Sequence, residues 1–358
     1  EKLKKYMNKE LGSMHIQQLI DQKQSKLDPR ISIITPEDNV PAEVQTKWMT
    51  KPLEEVYVEH GVTNNPSKLK ADIEAGVIKP FFAVRNDEPV AVAALIKNED
   101  GSQELGRAAS LERGSGAGSL LMLKAGLDHF SQNDKPLVTE VRVSAHFEGI
   151  PDGMASQTTC FDHLGQIPHA LAPEFSHGKP KRNEQFAISS SQEVEIKEKL
   201  YLPDDSAAIE MIVSMVLPFV GSNLLSKMVG LDGSSHQVES WEFVEGAPFG
   251  QVAPGGLNSS LESAIKKSEE QHTFTLIQLE MSPNMMGAVI GCMNAGFIPC
   301  GVDRNPGENG HPLLMLGRLR KGTLLAPMLL KAGSVERSRA RAMHRVDFEF
   351  RKSLRKSI

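Results

Sequence analysis

Between Glu104 and Leu121 the chain runs ELGRAASLERGSGAGSLL, and this stretch limits the folds open to it more than any other. The residues up to Leu111 read as a strand, and those from Ala117 onward as the first turns of a helix. Between them, Arg113-Gly-Ser-Gly-Ala-Gly-Ser119 is a glycine-rich turn. Backbone amides there can approach a ligand with no Cβ in the way. The helix that follows offers its unpaired N–H groups and positive dipole end to the same place. Strand, turn and helix start together predict an anion cradle suited to a phosphate or pyrophosphate.

The order of elements around the cradle narrows its type. Strands are predicted over 31–34, 80–84, 90–96, 104–111, 137–144, 167–171 and 184–189, and helices over 40–59, 66–75, 117–132 and 153–164. Asn65 followed by Pro66 marks a helix start, and Asn86-Asp-Glu-Pro89 a hairpin turn. A dinucleotide-binding domain would place its glycine turn after the first strand; here it follows the fourth. A P-loop would need a lysine after the last glycine, and Ser119 follows Gly118.

In this context Arg113-Gly114-Ser115-Gly116-Ala117-Gly118 resembles the pyrophosphate loop of the GNAT superfamily of acyl-CoA transferases, which reads [RQ]-x-x-G-x-[GA]. The resemblance implies acetyl-CoA or another acyl-CoA as co-substrate, with no metal. It places the pyrophosphate on Arg113 to Ser119, and the pantetheine arm along Ala109, Ser110 and Leu111. A slot for the thioester would open where the partner strand around Val141 to Ser144 splays away. The family often carries a carboxylate base on the fourth strand, where Glu104 stands; Glu140 and His146 are the other catalytic candidates. Strand alternation puts Glu140 on one face with Arg142, so the two could form an ion pair or face the acceptor together. The family's later signature, Asn-x-x-Ala-x-x-Leu-Tyr-x-x-x-Gly-Phe, aligns with Met154 to Gln166; Gly165 holds the glycine, but Phe161 replaces the tyrosine that protonates the leaving thiolate. Cys160 lacks an evident base and reads as a buried hydrophobe.

The second half repeats part of this pattern. Gly165-Gln-Ile-Pro168 and Gly296-Phe-Ile-Pro299 each follow a predicted strand and helix, which points to an internal repeat. The nearest counterpart of the cradle is Pro254-Gly-Gly256, without the leading Arg and the third glycine. The expected fold class is therefore α+β: two GNAT-like domains, each a mixed, mostly antiparallel sheet flanked by helices. The domains would be a helical arm (1–28), an acyl-CoA-binding domain (29–192), a degenerate second copy (193–330) and a basic tail (331–358), the last read as a solvated helix face or a disordered end, with an acidic partner or nucleic acid as the functional alternative.

Composition closes off other classes. A net charge of −5 argues against nucleic acid as a partner. Three scattered cysteines form neither a disulfide framework nor a metal-ligand pattern and suit a reducing cytoplasm. No apolar run is long enough for a membrane span, and no signal-peptide pattern opens the sequence. The arm could pack on a neighbouring domain or on a second copy in a homo-oligomer. The expected activity is acyl-CoA-dependent N-acetylation of a small-molecule amine. The alternatives are a non-catalytic acyl-CoA-binding scaffold and an acyltransferase for a protein or carrier-bound acceptor.

Overall fold

The structure is a computed structural model that describes residues 2–56, 65–112, 114–144, 153–175, 182–194, 196, 199–220, 228–229, 238, 240–245, 250–255 and 259–355. Two compact units divide the chain. One comprises Glu1–Glu140 with Ala155–Gln166, the other Val141–Met154 with Ile167–Ile358.

The first unit contains α1 (Lys2–Gln24), β1 (Ile31–Ile34), α2 (Ala42–Val56), α3 (Pro66–Glu74), β2 (Ile78–Arg85), β3 (Glu88–Lys97), β4 (Gln103–Ser110), α4 (Ala117–Gln132) and the start of β5 (Leu137–Arg142). The short α5 (Gly153–Gln157) continues into a π-helical turn, Thr158–His163. Antiparallel pairing runs β1 to β2, β2 to β3 and β3 to β4. The β2–β3 hairpin turns on Asn86 and Asp87, both with positive φ (50° and 62°). That is the primed turn whose twist matches paired strands, and Asn and Asp tolerate it. As its sequence predicts, α3 is capped by Asn65, whose side chain accepts from the Lys68 amide at 2.9 Å.

Nearly every residue of β2 and β3 is buried, so this sheet is covered on both faces. On one side Met49, Leu53 and Leu69 of α2 and α3 join Ile78, Phe82 and Val92 in a common core. Helix α4 also packs on β2, β3 and β4, with Leu120, Leu121 and Leu123 fully buried. The expected arm is α1, which lies against α4 and buries Ile16 and Ile20 within the same unit.

The second unit contains the hairpin β6 (Ile167–Phe175) and β7 (Arg182–Ser190), β8 (Leu200–Tyr201), α6 (Ser206–Met215), β9 (Met228–Val229), β10 (Trp241–Phe243), β11 (Gly250–Pro254), α7 (Leu261–Gln271), β12 (Phe274–Glu280), α8 (Met286–Asn294), β13 (Ile298–Asp303), β14 (Leu313–Leu319), β15 (Leu324–Leu325) and α9 (Arg337–Arg355). Its main sheet has the order β7-β6-β13-β14-β12-β11-β10, with β15 parallel to β7. Because β6 pairs with both β7 and β13, this hairpin clusters with the second unit. The compact units therefore divide differently from the sequence ranges 29–192 and 193–330.

The internal repeat is visible strand by strand. In each half a strand leads through a helix to a second strand laid parallel to it over only two residue pairs: Gln103–Leu137 and Glu104–Val138, then Gly250–Thr275 and Gln251–Leu276. A second helix follows in each, ending on a glycine with positive φ, Gly165 (64°) and Gly296 (88°). An antiparallel hairpin comes next, and its register slips just after the proline, between Pro168 and Ala170 and between Pro299 and Gly301. Ala170 and Gly301 are thus equivalent positions, and they face each other where β6 pairs with β13.

The basic tail forms α9, solvated along its outer face as one reading of it expected and packed along its inner one, so the alternative of a disordered end does not hold for Arg337–Arg355. Ala342, Met343, Val346 and Phe350 recur at helical spacing and are fully buried. The Phe350 ring meets Phe274 edge-on with centroids 6.1 Å apart, over the space left by Gly317. Phe350→Ala should lower unfolding free energy by about 3–5 kcal/mol. Phe348→Ala, one turn face away and exposed, should change it by no more than about 0.5 kcal/mol. Denaturant unfolding checks both, and equal effects would mean α9 does not pack as described.

Candidate active site

The ladder between β3 and β4 is interrupted by a bulge. Val92 pairs with Ala109 and Ala94 with Gly106, so Arg107 and Ala108 stand opposite a single residue of β3. Arg107 takes φ = 50°, in the left-handed region, and such a bulge bends its strand and adds twist. On its other edge β4 pairs with β5 only at Gln103–Leu137 and Glu104–Val138. Beyond these pairs β4 runs on to Ser110 without a shared ladder, so the stretch expected to meet the pantetheine arm, Ala109, Ser110 and Leu111, follows the bulge.

The chain then enters the glycine turn. Arg113 lies outside the described residues. Gly114 and Gly116 both have φ = 79°, and a Cβ on either would meet nothing within 4 Å. Gly116 is the N-cap of α4 and offers no capping side chain. The Leu120 amide bonds back to the Gly116 carbonyl at 3.0 Å, which leaves the amides of Gly116 to Ser119 without intrahelical acceptors. The Ser115 hydroxyl donates to the Glu112 carbonyl at 2.8 Å and accepts from the Ala117 amide at 3.3 Å. Open space, helix-start amides without intrahelical acceptors and the positive dipole end therefore coincide, as an anion cradle requires. Gly118 has a different role: its Cβ position is 3.5 Å from Ser110 Cβ, an ordinary contact that seats the helix against the end of β4.

The entry to the turn is held by charges that sequence reading missed. Arg85, at the end of β2, pairs with Glu112 and with Asp28 (3.0 Å), and Asp28 also pairs with Arg30 at 2.7 Å. The bonds from Arg30 hold the Asp28 carboxyl well below the ordinary range. The Ser110 hydroxyl donates to the Glu112 carbonyl at 3.1 Å, so Glu112 is fixed through both side chain and backbone. These partners are up to 84 positions apart in sequence, from Asp28 to Glu112, and no local pattern announces them.

Of the three catalytic candidates, Glu104 sits where the β4–β5 ladder ends. It is half-buried, and its carboxylate folds over Gly106, filling the space a Cβ there would take. Burial raises its pKa, and the nearby Arg107 opposes that rise. Glu140 is exposed. His146 lies outside the described residues. Arg142 pairs with the buried Glu184 at 2.6 Å and stacks near the Phe186 ring, so its carboxylate partner in the second unit comes from β7.

Phe161 is buried in the π-helical turn, where the Leu164 amide bonds to the Thr159 carbonyl five residues back. A ring without a hydroxyl cannot deliver a proton. Cys160, Cys292 and Cys300 are buried thiols pushed up to about 12 by burial, which rules them out as nucleophiles at neutral pH. Among the described residues no cluster of three His, Cys, Asp or Glu side chains converges as metal ligands would, and no helix is long and apolar enough to cross a membrane.

No family profile and no curated protein matches this chain. Solved structures similar to it include an N-acetyltransferase from Staphylococcus aureus (11% identity, 44% of this chain and 96% of that one, TM-score 0.33). An acyl-CoA N-acyltransferase from Pseudomonas aeruginosa is also similar (16% identity, 44% and 97%, TM-score 0.28). So is a GNAT family acetyltransferase from Elizabethkingia anophelis with acetyl-CoA bound (15% identity, 45% and 98%, TM-score 0.29).

Two outcomes follow for these residues. Gly116→Ala should cost about 1–2 kcal/mol from the left-handed backbone alone, whereas Gly118→Ala, inside the helix, should not destabilise; thermal unfolding separates them. A carboxyl whose folded pKa is raised favours folding while protonated, and that contribution is lost as pH rises. Wild type should therefore lose stability relative to Glu104→Gln as pH climbs from about 4.3, the unfolded glutamate value, through the raised folded value. Parallel pH profiles for the two proteins would contradict the burial of Glu104.

Proposed function

We propose that this chain is a GNAT-type acyltransferase, whose first unit binds acetyl-CoA or a related acyl-CoA and whose product is an N-acylated small-molecule amine. The observation that carries the reading is a glycine turn that opens α4 on a glycine N-cap, at the end of a bulged β4 whose ladder with β5 covers two residue pairs. The turn and first amides of α4, from Gly114 to Ser119, would hold the pyrophosphate, a chemistry that suits backbone N–H groups and a helix dipole. The edge of β4 from Ala109 to Leu111 would hydrogen-bond the pantetheine amides, as an added strand would.

In the reaction, the amine nitrogen attacks the thioester carbonyl carbon, the C–S bond breaks, and CoA leaves as a thiolate. The amine must lose a proton at or before attack. Glu104 is the preferred base, because burial holds its pKa above the usual carboxylate range and so strengthens it as an acceptor. Glu140 and His146 are the alternative bases. Phe161 has no proton to give, so in this reading the CoA thiolate is protonated from solvent. The second unit would be a degenerate copy in a tandem arrangement.

The same Phe161 favours a second reading, an acyl-CoA-binding protein without turnover. Incubation with acetyl-CoA and a panel of amines, including lysine-containing peptides, with free thiol followed over time, separates the two. Thiol release that depends on an amine, with kcat lowered about 10²-fold or more in Glu104→Gln, is the expected result. CoA binding with no release on any amine would leave the binding reading and overturn the catalytic one. CoA affinity unchanged in Gly116→Val would overturn the cradle itself.

A further inference from the structure

Helix α9 carries a second surface that neither the fold nor the acyl-transfer reading uses. Its inner stripe is spent in the core, with Ala342, Met343, Val346 and Phe350 buried. Its outer stripe, all exposed, is Arg337, Arg341, His344, Arg345, Phe348, Lys352 and Arg355. This recurrence at three- and four-residue steps keeps them on one side of the helix over about 28 Å. Five cations and one aromatic ring therefore share a face; Arg345 and Lys352 are paired there with Glu349, and Arg337, Arg341 and Arg355 have no ion pair among the described residues. The helix has two acids, Asp347 and Glu349. Both are withdrawn into ion pairs, Asp347 with Arg351 at 2.9 Å and Glu349 with Arg345 and Lys352 at 3.3 and 3.0 Å. The face is thus cationic on a chain whose net charge is −5, so the positive potential is local and oriented.

Phe348 sets the chemistry of the occupant. Its ring is 53% exposed, the Arg345 guanidinium lies 5.9 Å from its centroid, and it borders a shallow concavity of about 250 Å³ shared with Arg351, Lys352 and Arg355. A membrane surface would need an apolar stripe to bury, and that stripe is already inside the fold. An acidic peptide would use the cations but would offer no flat π-surface to the ring. A single-stranded nucleic acid uses both: phosphates meet the arginines, which bind them bidentately, and a base stacks on the exposed aromatic side chain. We propose that the outer face of α9 binds single-stranded RNA or DNA, with Arg337, Arg341, Arg345, Lys352 and Arg355 on phosphates and Phe348 against a base. The two polymers share the chemistry this face reads.

The test uses the full chain and fluorescein-labelled oligouridylate and oligothymidylate, with anisotropy titrations between about 50 and 200 mM salt. Wild type should bind one or both with a salt-dependent affinity. Arg337→Gln/Arg341→Gln removes two exposed cations with no ion pairs among the described residues. It should reduce the log–log salt slope by about 1.4, two contacts at roughly 0.7 each for single strands. Phe348→Ala should weaken binding about tenfold and leave the slope unchanged. Unaltered melting curves would show that both variants are folded. No binding by wild type, variants that bind as wild type does, or tighter binding to a polyglutamate peptide or to anionic phosphatidylserine vesicles would each overturn the proposal.

Discussion

The early end of the β4–β5 ladder is the constraint on which the site depends. The two parallel strands share a ladder at Gln103–Leu137 and Glu104–Val138, and beyond it β4 continues to Ser110. Backbone N–H and C=O groups at a strand edge demand hydrogen bonds, and an extended amide-bearing ligand can supply them. The bulge at Arg107 bends β4 where its ladder with β5 has already ended. Gly106 belongs to the same device, because the Glu104 carboxylate occupies the position of a Cβ there. A side chain at 106 would push out the Glu104 carboxylate, whose pKa burial raises.

The glycine turn depends in turn on what holds its entry. Glu112 could have been an awkward neighbour for an anion, since its charge repels a phosphate. Arg85 neutralises it and ties it to Asp28, while Ser110 and Ser115 both donate to its carbonyl. The negative group becomes an anchor for the loop. Because these links join the start of β1's approach, the end of β2 and the end of β4, the loop position is set by the sheet and not by the loop's own composition.

Much of this was legible in the sequence where the signal is local. Asn86-Asp87 specified its hairpin, Asn65-Pro66 its helix start, and Gly114 and Gly116 the turn into α4, since each depends on backbone conformations that few residues accept. The Gly-x-Ile-Pro echo identified the repeat down to the register slip after each proline. What escaped depends on distant partners. Gly106 inside a strand was a signal for a bulge, but the pairing that places it is with β3. Arg142 could be assigned a face by alternation, yet its partner Glu184 comes from another strand. The charges of the basic tail announced its solvated face, but the stripe Ala342-Met343-Val346-Phe350, which decides its packing, was hidden among them.

The two halves also differ in how the corresponding helix begins. At the equivalent of α4, the helix α7 begins at Leu261 with Ser260 as N-cap, and the Ser260 hydroxyl accepts from the Ser263 amide. Glu262 stands in the first turn, so a carboxylate already answers the dipole. Helix α4 has neither: its N-cap is Gly116, and no acid occupies its first turn. The start of α7 thus carries a serine N-cap and an acid, whereas that of α4 has a glycine N-cap and no acid, with the Ser115 hydroxyl accepting only from the Ala117 amide. The pairing of Ala170 with Gly301 obeys a similar economy. A Cβ at 301 would lie 2.1 Å from the Ala170 Cβ, so the two equivalent positions can meet only if one of them gives up its side chain. The repeat therefore cannot remain exact where its copies touch, and divergence there is a condition of the pairing.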